Sequence, residues 1–466
     1  MSELLEELIK MKREQSLDYQ EYLEKLIELV KKAQDKKIKL LVFPELSICA
    51  YTCADLFTQK TLQEECYIVL KNICEETKNC NILFCVGLPV ELDSERFNCA
   101  AFVFKGKVLA LIPKSFIPNY SEFYESRWFA SFSENTVKQI SLCKGLEDIP
   151  FGTDIFIQDE NDSSIKISAE LCEDLWVPFS PSTRHALNGA TIIANLSASN
   201  EVAGKAEYRR ILVTGHSAKT VSAYIYANAS HDESSTDMIF SGHSIIAANG
   251  AIKAESGLFE NTQEFLIADI DLEKLTQDRI KSTTFSRSTS FAKSEYKTIF
   301  VSGLQQQHFA DNIDEQLYEK IDLHPFVPSD IQKRKERCFS IIEMQSEGLA
   351  KRLRHIHAQG AVIGLSGGLD STLALLVCAR AFDKCNISRE KIFSITMPAF
   401  GTTDRTFNNA CLLAKEMGTT LKEINIKSYA YPDEYIKHGT VDELEDIYGL
   451  SIEKITSKQT INTAII

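Results

Sequence analysis

One short run of glycines and serines, set between an apolar stretch and a helix-forming one, constrains the fold of this chain more than any other feature. Leu365 to Thr372 reads LSGGLDST, preceded by Ala361-Val-Ile-Gly364 and followed by Leu373-Ala-Leu-Leu-Val377. It therefore falls where a strand ends and a helix begins. Backbone N–H groups bared by Gly367 and Gly368, together with the helix N-terminus, can hold phosphate oxygens. The hydroxyls of Ser366 and Ser371 add donors. The spacing is not that of a GxxxxGK[ST] loop and no lysine follows the glycines. Such a cradle points to ATP being split between its α and β phosphates rather than to transfer of the γ-phosphate. The plain alternative is a glycine-rich turn with no ligand.

The surrounding pattern supports a parallel sheet. A long helix over 331–358 leads to strand 361–365, helix 371–381, strand 391–397, helix 404–417 and strand 420–426. Strands alternating with helices at this pitch imply crossover connections, with ligands bound beyond the carboxyl ends of the strands. The first part of the chain mixes helices, at 17–34, 61–78 and 204–219, with short apolar strands. These strands start with Lys39–Phe43 and recur at 81–86, 100–104, 107–112, 165–169, 192–196 and 222–227. Asn249-Gly250 reads as a hairpin turn. This is a layered α/β unit. Between the two, a polar stretch with His324-Pro-Phe-Val-Pro328 reads as a linker or wrapping arm. With 466 residues the chain exceeds a single core, and the domains expected are 1–275, 276–330 (the arm) and 331–466.

Charge and composition narrow the partners. A formal net charge of −14 argues against a general nucleic-acid surface while leaving room for a small anion in a locally positive pocket. No apolar run reaches the roughly 18–20 residues of a membrane span, and the acidic opening Met-Ser-Glu-Leu-Leu-Glu-Glu is the opposite of a basic leader. No membrane partner and a cytoplasmic location are expected. Thirteen cysteines without a CxxC pair give little support to zinc or iron–sulfur ligation. Most of them, including Cys49, Cys66, Cys85, Cys143, Cys378 and Cys411, read as small buried hydrophobes in a reducing compartment.

Three reactive residues stand where the chain leaves a strand. Glu45 follows Leu40-Leu-Val-Phe-Pro44, Lys114 follows Val108-Leu-Ala-Leu-Ile-Pro113, and Cys172 follows Ile165-Lys-Ile-Ser-Ala-Glu-Leu171. Covalent amide cleavage needs a nucleophile, a base and a cation or donor for the oxyanion. Cysteine, glutamate and lysine fill those roles without histidine. Taken singly, each also has a bland reading as a loop acid, a surface lysine or a buried apolar cysteine.

The contexts FPELS (Phe43 to Ser47), PKSFIPNYSEFYESRWF (Pro113 to Phe129) and ELCEDLW (Glu170 to Trp176) resemble the nitrilase superfamily. The two units in this order resemble the glutamine-dependent NAD synthetases. The resemblance implies an α/β fold, a four-layer α-β-β-α amidohydrolase domain followed by a doubly wound parallel-sheet domain of the ATP pyrophosphatase type. It implies Cys172 as nucleophile, Glu45 as general base and Lys114 at the oxyanion. Tyr120, Glu122, Ser199 and Lys205 would form the glutamine site, with Lys205 making a point-charge contact where relatives often carry arginine. Glu122 is expected to support the lysine or the tetrahedral intermediate, or else to be a solvated acid.

In the second unit the resemblance sets ATP against Leu365, Ser366, Gly367, Gly368, Leu369, Asp370 and Ser371, with Thr402, Thr403 and Arg405 facing the nucleotide. The bland reading of the last three is a helix cap and a surface charge. Mg²⁺ would offset phosphate charge with Asp370 taking part, although a capping carboxylate explains that position equally well. Glutamine, ATP and deamido-NAD are the implied small-molecule partners, with an enclosed ammonia route and a homo-oligomer. The alternatives are an amidotransferase for another carboxylate, or a glutaminase joined to a non-catalytic scaffold or regulatory module. His216 and His243 read as structural hydrogen-bonding histidines. Domains of this family begin with a further strand and continue well past Ile466. The resemblance therefore leads us to expect an altered edge or missing residues at the start, and a fragment or shortened product at the end.

Overall fold

Strands buried on both faces need a layer on each side, and β2 (Leu83–Leu92) is of this kind over its first eight residues. The computed structural model describes residues 19–133, 136–235, 237–260, 265–305, 317–318, 324, 326–398, 402–424 and 440–448. The chain divides into two units, Met1–Lys320 and Ile321–Ile466.

In the first unit β1 (Leu40–Val42), β2, β3 (Glu95–Phe104), β4 (Lys107–Pro113), β5 (Lys138–Ile140) and β6 (Ile149–Phe151) form a sheet in the order β1-β2-β3-β4-β6-β5. A second sheet takes the order β12-β11-β10-β9-β8-β7-β13. It is built from β7 (Ile155–Asp159), β8 (Lys166–Leu171), β9 (Ile192–Ser197), β10 (Ala223–Asn228), β11 (Ile245–Ala248), β12 (Ala251–Glu255) and β13 (Lys297–Val301). Leu83, Cys85, Ala100 and Phe102 of one sheet pack against Ile157, Ile167, Ala169 and Leu196 of the other. On the outer face of the first sheet lie α1 (Tyr19–Asp35) and α2 (Lys60–Glu76). Leu23, Leu26, Ile27 and Val30 of α1 form a buried stripe at helical spacing, and Cys66, Leu70 and Ile73 of α2 join it. The second sheet is covered by α3 (Pro181–Leu187) and α4 (Lys205–Thr220), whose Val213 packs with Ile193, Tyr224 and Ile245. The layers are α-β-β-α, as expected.

Asn249 and Gly250 both take positive φ, 45° and 82°, at the β11–β12 turn, which is the hairpin read from Asn-Gly. The polar stretch read as a linker or wrapping arm carries regular elements. It contains the end of α5 (Leu272–Lys281), α6 (Thr283–Ser288) and β13, which pairs in parallel with β7 from Lys297↔Ile155 to Val301↔Asp159. Asp159 fastens that edge by accepting the Leu304 N–H at 2.8 Å.

The second unit holds α7 (Ile331–His355), β14 (Ala361–Gly364), α8 (Leu369–Lys384), β15 (Ile392–Thr396), α9 (Asp404–Glu416), β16 (Thr420–Glu423) and α10 (Val441–Tyr448). β14, β15 and β16 are parallel neighbours in that order. Leu353, Leu365, Leu375, Phe382, Ile392 and Ala410 share its core. Among the described residues no helix is long and apolar enough to cross a membrane. The expectations for the N-terminal opening and for the run after Lys454 lie outside the described residues.

Candidate active site

The strands deliver their terminal residues to one buried point. Leaving β1, the chain turns at Leu46 with φ 51° and returns an N–H from Ile48 to the Gly87 carbonyl at 2.9 Å. Only glycine fits there, because a Cβ on Gly87 would lie 2.2 Å from the Leu46 nitrogen. This close approach seats Glu45, which is fully buried. Lys114, also fully buried, follows β4 and donates its backbone N–H to the Asn98 carbonyl at 2.8 Å. Cys172 opens the turn after β8 with φ 38°, a left-handed conformation that an L-residue holds only when its surroundings impose it. Asp174 imposes part of it, accepting N–H groups from Leu171 at 3.0 Å and Phe116 at 2.9 Å. That carboxylate ties the cysteine turn to the segment after Lys114.

Lys114 Nζ lies 2.7 Å from Glu45 Oε1 and 2.8 Å from Glu125 Oε2. Burial alone would depress the lysine, but Glu125 and Glu45 outweigh it and hold its pKa well above the ordinary value. Tyr51 donates its hydroxyl to Glu125 Oε1 at 2.6 Å. Burial raises the Glu125 pKa against the opposing pull of Lys114. Glu45 also accepts Asn98 Nδ2 at 2.7 Å and the Ala198 N–H at 2.9 Å. Burial, reinforced by Glu45, pushes the Cys172 thiol up to about 12. These surroundings favour the thiol over the thiolate.

The residues expected around a glutamine form a second cluster. Tyr120 donates to Glu173 Oε1 at 2.9 Å, and Glu122 Oε1 accepts Asn200 Nδ2 at 2.6 Å. Lys205 donates to Asn200 Oδ1, and its ammonium lies 5.3 Å from the ring centroids of both Phe123 and Trp176. Ser199 is joined to the group through Arg209, whose guanidinium reaches its hydroxyl at 3.3 Å. The expectation that Glu122 supports the lysine is corrected. Glu122 turns to Asn200, and Glu125, buried where Glu122 is half-exposed, occupies the place against Lys114. Glu125, Tyr51, Asn98 and Glu173 were not found from the sequence. His216 meets Ser182 Oγ at 2.7 Å, and His243 sits between Arg209 and Glu255. Both make the structural hydrogen bonds expected of them.

In the second unit the loop after β14 is held by its own side chains. Ser366 Oγ lies 3.1 Å from Ser371 Oγ and accepts the Gly368 N–H at 3.3 Å. Gly367 has φ 77° and packs so closely on α9 that a Cβ would lie 2.0 Å from the Thr406 carbonyl. The loop thus abuts the N-terminus of α9, where Thr403 caps the helix by accepting the Thr406 N–H. Arg405 is exposed and Thr402 half-exposed. Leu365 is buried and donates its N–H to Ile395 O at 2.7 Å, whereas Leu369 is exposed. Asp370 is an exposed acid in the first turn of α8. Among the described residues no cluster of three or more His, Cys, Asp or Glu is arranged to hold a metal. Asp370 alone could give a Mg²⁺ ion one carboxylate ligand, and such an ion would draw the rest from phosphates and water.

A family model described as carbon-nitrogen hydrolase matches residues 9–280, and one described as NAD synthase matches residues 341–446. The glutamine-dependent NAD(+) synthetase of Mycobacterium tuberculosis is 34% identical over 401 residues, covering 86% of this chain and 58% of that protein. The human protein of the same name is 27% identical over 383 residues, covering 80% and 52%. The chain therefore spans a little over half the length of these relatives. A crystal structure of a glutamine-dependent NAD(+) synthetase from Cytophaga hutchinsonii aligns with a TM-score of 0.48 and 22% identity, covering 94% of this chain and 65% of that one.

Proposed function

The chain belongs to the carbon-nitrogen hydrolase family, and on that premise we propose that it hydrolyses glutamine and uses the ammonia to convert deamido-NAD and ATP into NAD, AMP and pyrophosphate. The observation that carries the first half is a buried lysine shared by two glutamates beside a cysteine held in left-handed backbone. Glu45 removes the thiol proton as Cys172 attacks the side-chain amide carbonyl, and Lys114 stabilises the developing oxyanion. Ammonia leaves, and water, activated by Glu45, hydrolyses the thioester to glutamate. Tyr120, Glu122, Ser199 and Lys205 form the glutamine pocket in this reading. The Lys205 ammonium meets the substrate carboxylate, and the Phe123 and Trp176 rings hold its position.

The second half is supported by the 341–446 match and by the Ser366 to Ser371 loop, which sets two hydroxyls 3.1 Å apart at a helix N-terminus. Leu365 to Ser371 bind the ATP phosphates, with Thr402, Thr403 and Arg405 alongside. Asp370, with the nucleotide, would hold Mg²⁺, which would offset phosphate charge. The nicotinate carboxylate of deamido-NAD attacks the α-phosphorus and expels pyrophosphate, and ammonia then displaces AMP to form the amide. All thirteen cysteines are free thiols, which suits a reducing, cytoplasmic setting, and the protein acts as a homo-oligomer. The test is AMP release with deamido-NAD, ATP and Mg²⁺, comparing glutamine with ammonium. AMP and NAD from both donors support the proposal. Glutamate without AMP contradicts its second half, and no glutamate contradicts its first.

A further inference from the structure

This inference deepens the amidase reading and rests on it. A carboxylate offers about four acceptor positions, two on each oxygen. On Glu45, Oε1 takes the Lys114 ammonium and the Asn98 amide, each at 2.7 Å. Among the described residues Oε2 takes one donor, the Ala198 N–H at 2.9 Å. Oε1 is thus filled, and the spare acceptor capacity of the carboxylate lies on Oε2.

Asn98 stands on β3, fully buried, and reaches both partners. Its amide holds the glutamate, and its backbone carbonyl holds the N–H of Lys114. Its own Oδ1 has no hydrogen-bond partner among the described residues. Turning the amide over would set that oxygen against the carboxylate, so Glu45 fixes its orientation even though a buried acceptor is left bare.

From this geometry we infer that Asn98 is a positioning residue which, with Lys114, occupies Oε1 of Glu45 and thereby directs proton exchange with Cys172 to Oε2. During acylation the S–H bond breaks, the proton passes to Oε2, and the sulfur electron pair forms the C–S bond to the amide carbon. As the C–N bond breaks, the nitrogen takes that proton from Oε2 and leaves as ammonia. An N–H donor to a charged acceptor also favours the ionised form.

The experiment compares Asn98→Ala and Asn98→Asp with the wild type in the full chain, measuring kcat/KM for glutamine hydrolysis across the acid limb of the pH profile. The rate of Cys172 alkylation by iodoacetamide, followed by mass spectrometry, is measured over the same range. Asn98→Ala moves the acid limb up by about one pH unit in both readouts. Asn98→Asp, which sets a second carboxylate beside the first, moves it further. If both variants lose rate evenly at every pH with the limb unmoved, Asn98 is merely structural and the inference is overturned. Should Asn98→Ala lose its cooperative melting transition, Asn98→Asp, nearly equal in volume, decides alone. A wild type that alkylates but never hydrolyses glutamine overturns the amidase reading, and the alkylation limb still decides the role of Asn98.

Discussion

At the scale of single residues, the candidate site is a problem of buried charge. Two carboxylates and one ammonium lie out of reach of water, and Lys114 is the cation between them. Removing one partner of a buried pair costs about 3–5 kcal/mol because the remaining charge is left uncompensated. Lys114→Met should lower the unfolding free energy by about that much and abolish glutamine hydrolysis. Adding Glu125→Gln should recover part of the stability and none of the activity, and denaturant titration of the two variants checks both halves. Glu45, Lys114 and Cys172 were legible in the sequence because each ends an apolar strand in a short, distinctive context. Glu125 was not. It lies in an irregular loop among other acids, where no periodicity separates the buried carboxylate from Glu122. Asn98 was hidden in another way, as one polar residue inside a strand whose pairing partners the sequence does not reveal.

At the scale of elements, two glycines set where the chemistry can sit. Gly87 lets the turn carrying Glu45 rest on β2, and a methyl group there meets backbone atoms that have no rotamer to escape into. Gly87→Ala should displace Glu45 and lower kcat/KM for glutamine by about a hundredfold, with little change in ammonia-driven AMP formation. Gly367→Ala should do the converse, since its Cβ meets the Thr406 carbonyl beside the loop proposed to bind ATP. Assaying both half-reactions on both variants gives the four values that check this. On α3, burial and the neighbouring Arg184 hold the His185 pKa down to about 3. The unfolded chain protonates this histidine below its ordinary value of roughly 6.5, and the folded chain does so only near 3, so its contribution to stability is full above 6.5 and declines as pH falls through that window. Thermal melts at several pH values should show His185→Leu losing less stability than the wild type between neutrality and mild acid. Most elements were visible from apolar runs and their helical or alternating spacing. The β13 strand was not, because it is short and its partner β7 lies far back in the chain.

For the whole molecule, one half-reaction is proposed for each unit: ammonia production in the α-β-β-α unit and ammonia consumption in the parallel-sheet unit. The order of the units and both strand-end motifs were readable from the sequence. The layering of the first unit follows from strands that need cover on both faces. Cys172→Ala tests the division of labour most directly, by NAD and AMP formation with deamido-NAD, ATP and Mg²⁺, once with glutamine and once with ammonium as the nitrogen source. The variant is expected to make no NAD from glutamine and to keep wild-type turnover with ammonium. Equal loss with both donors, or NAD still formed from glutamine, would contradict that division of labour.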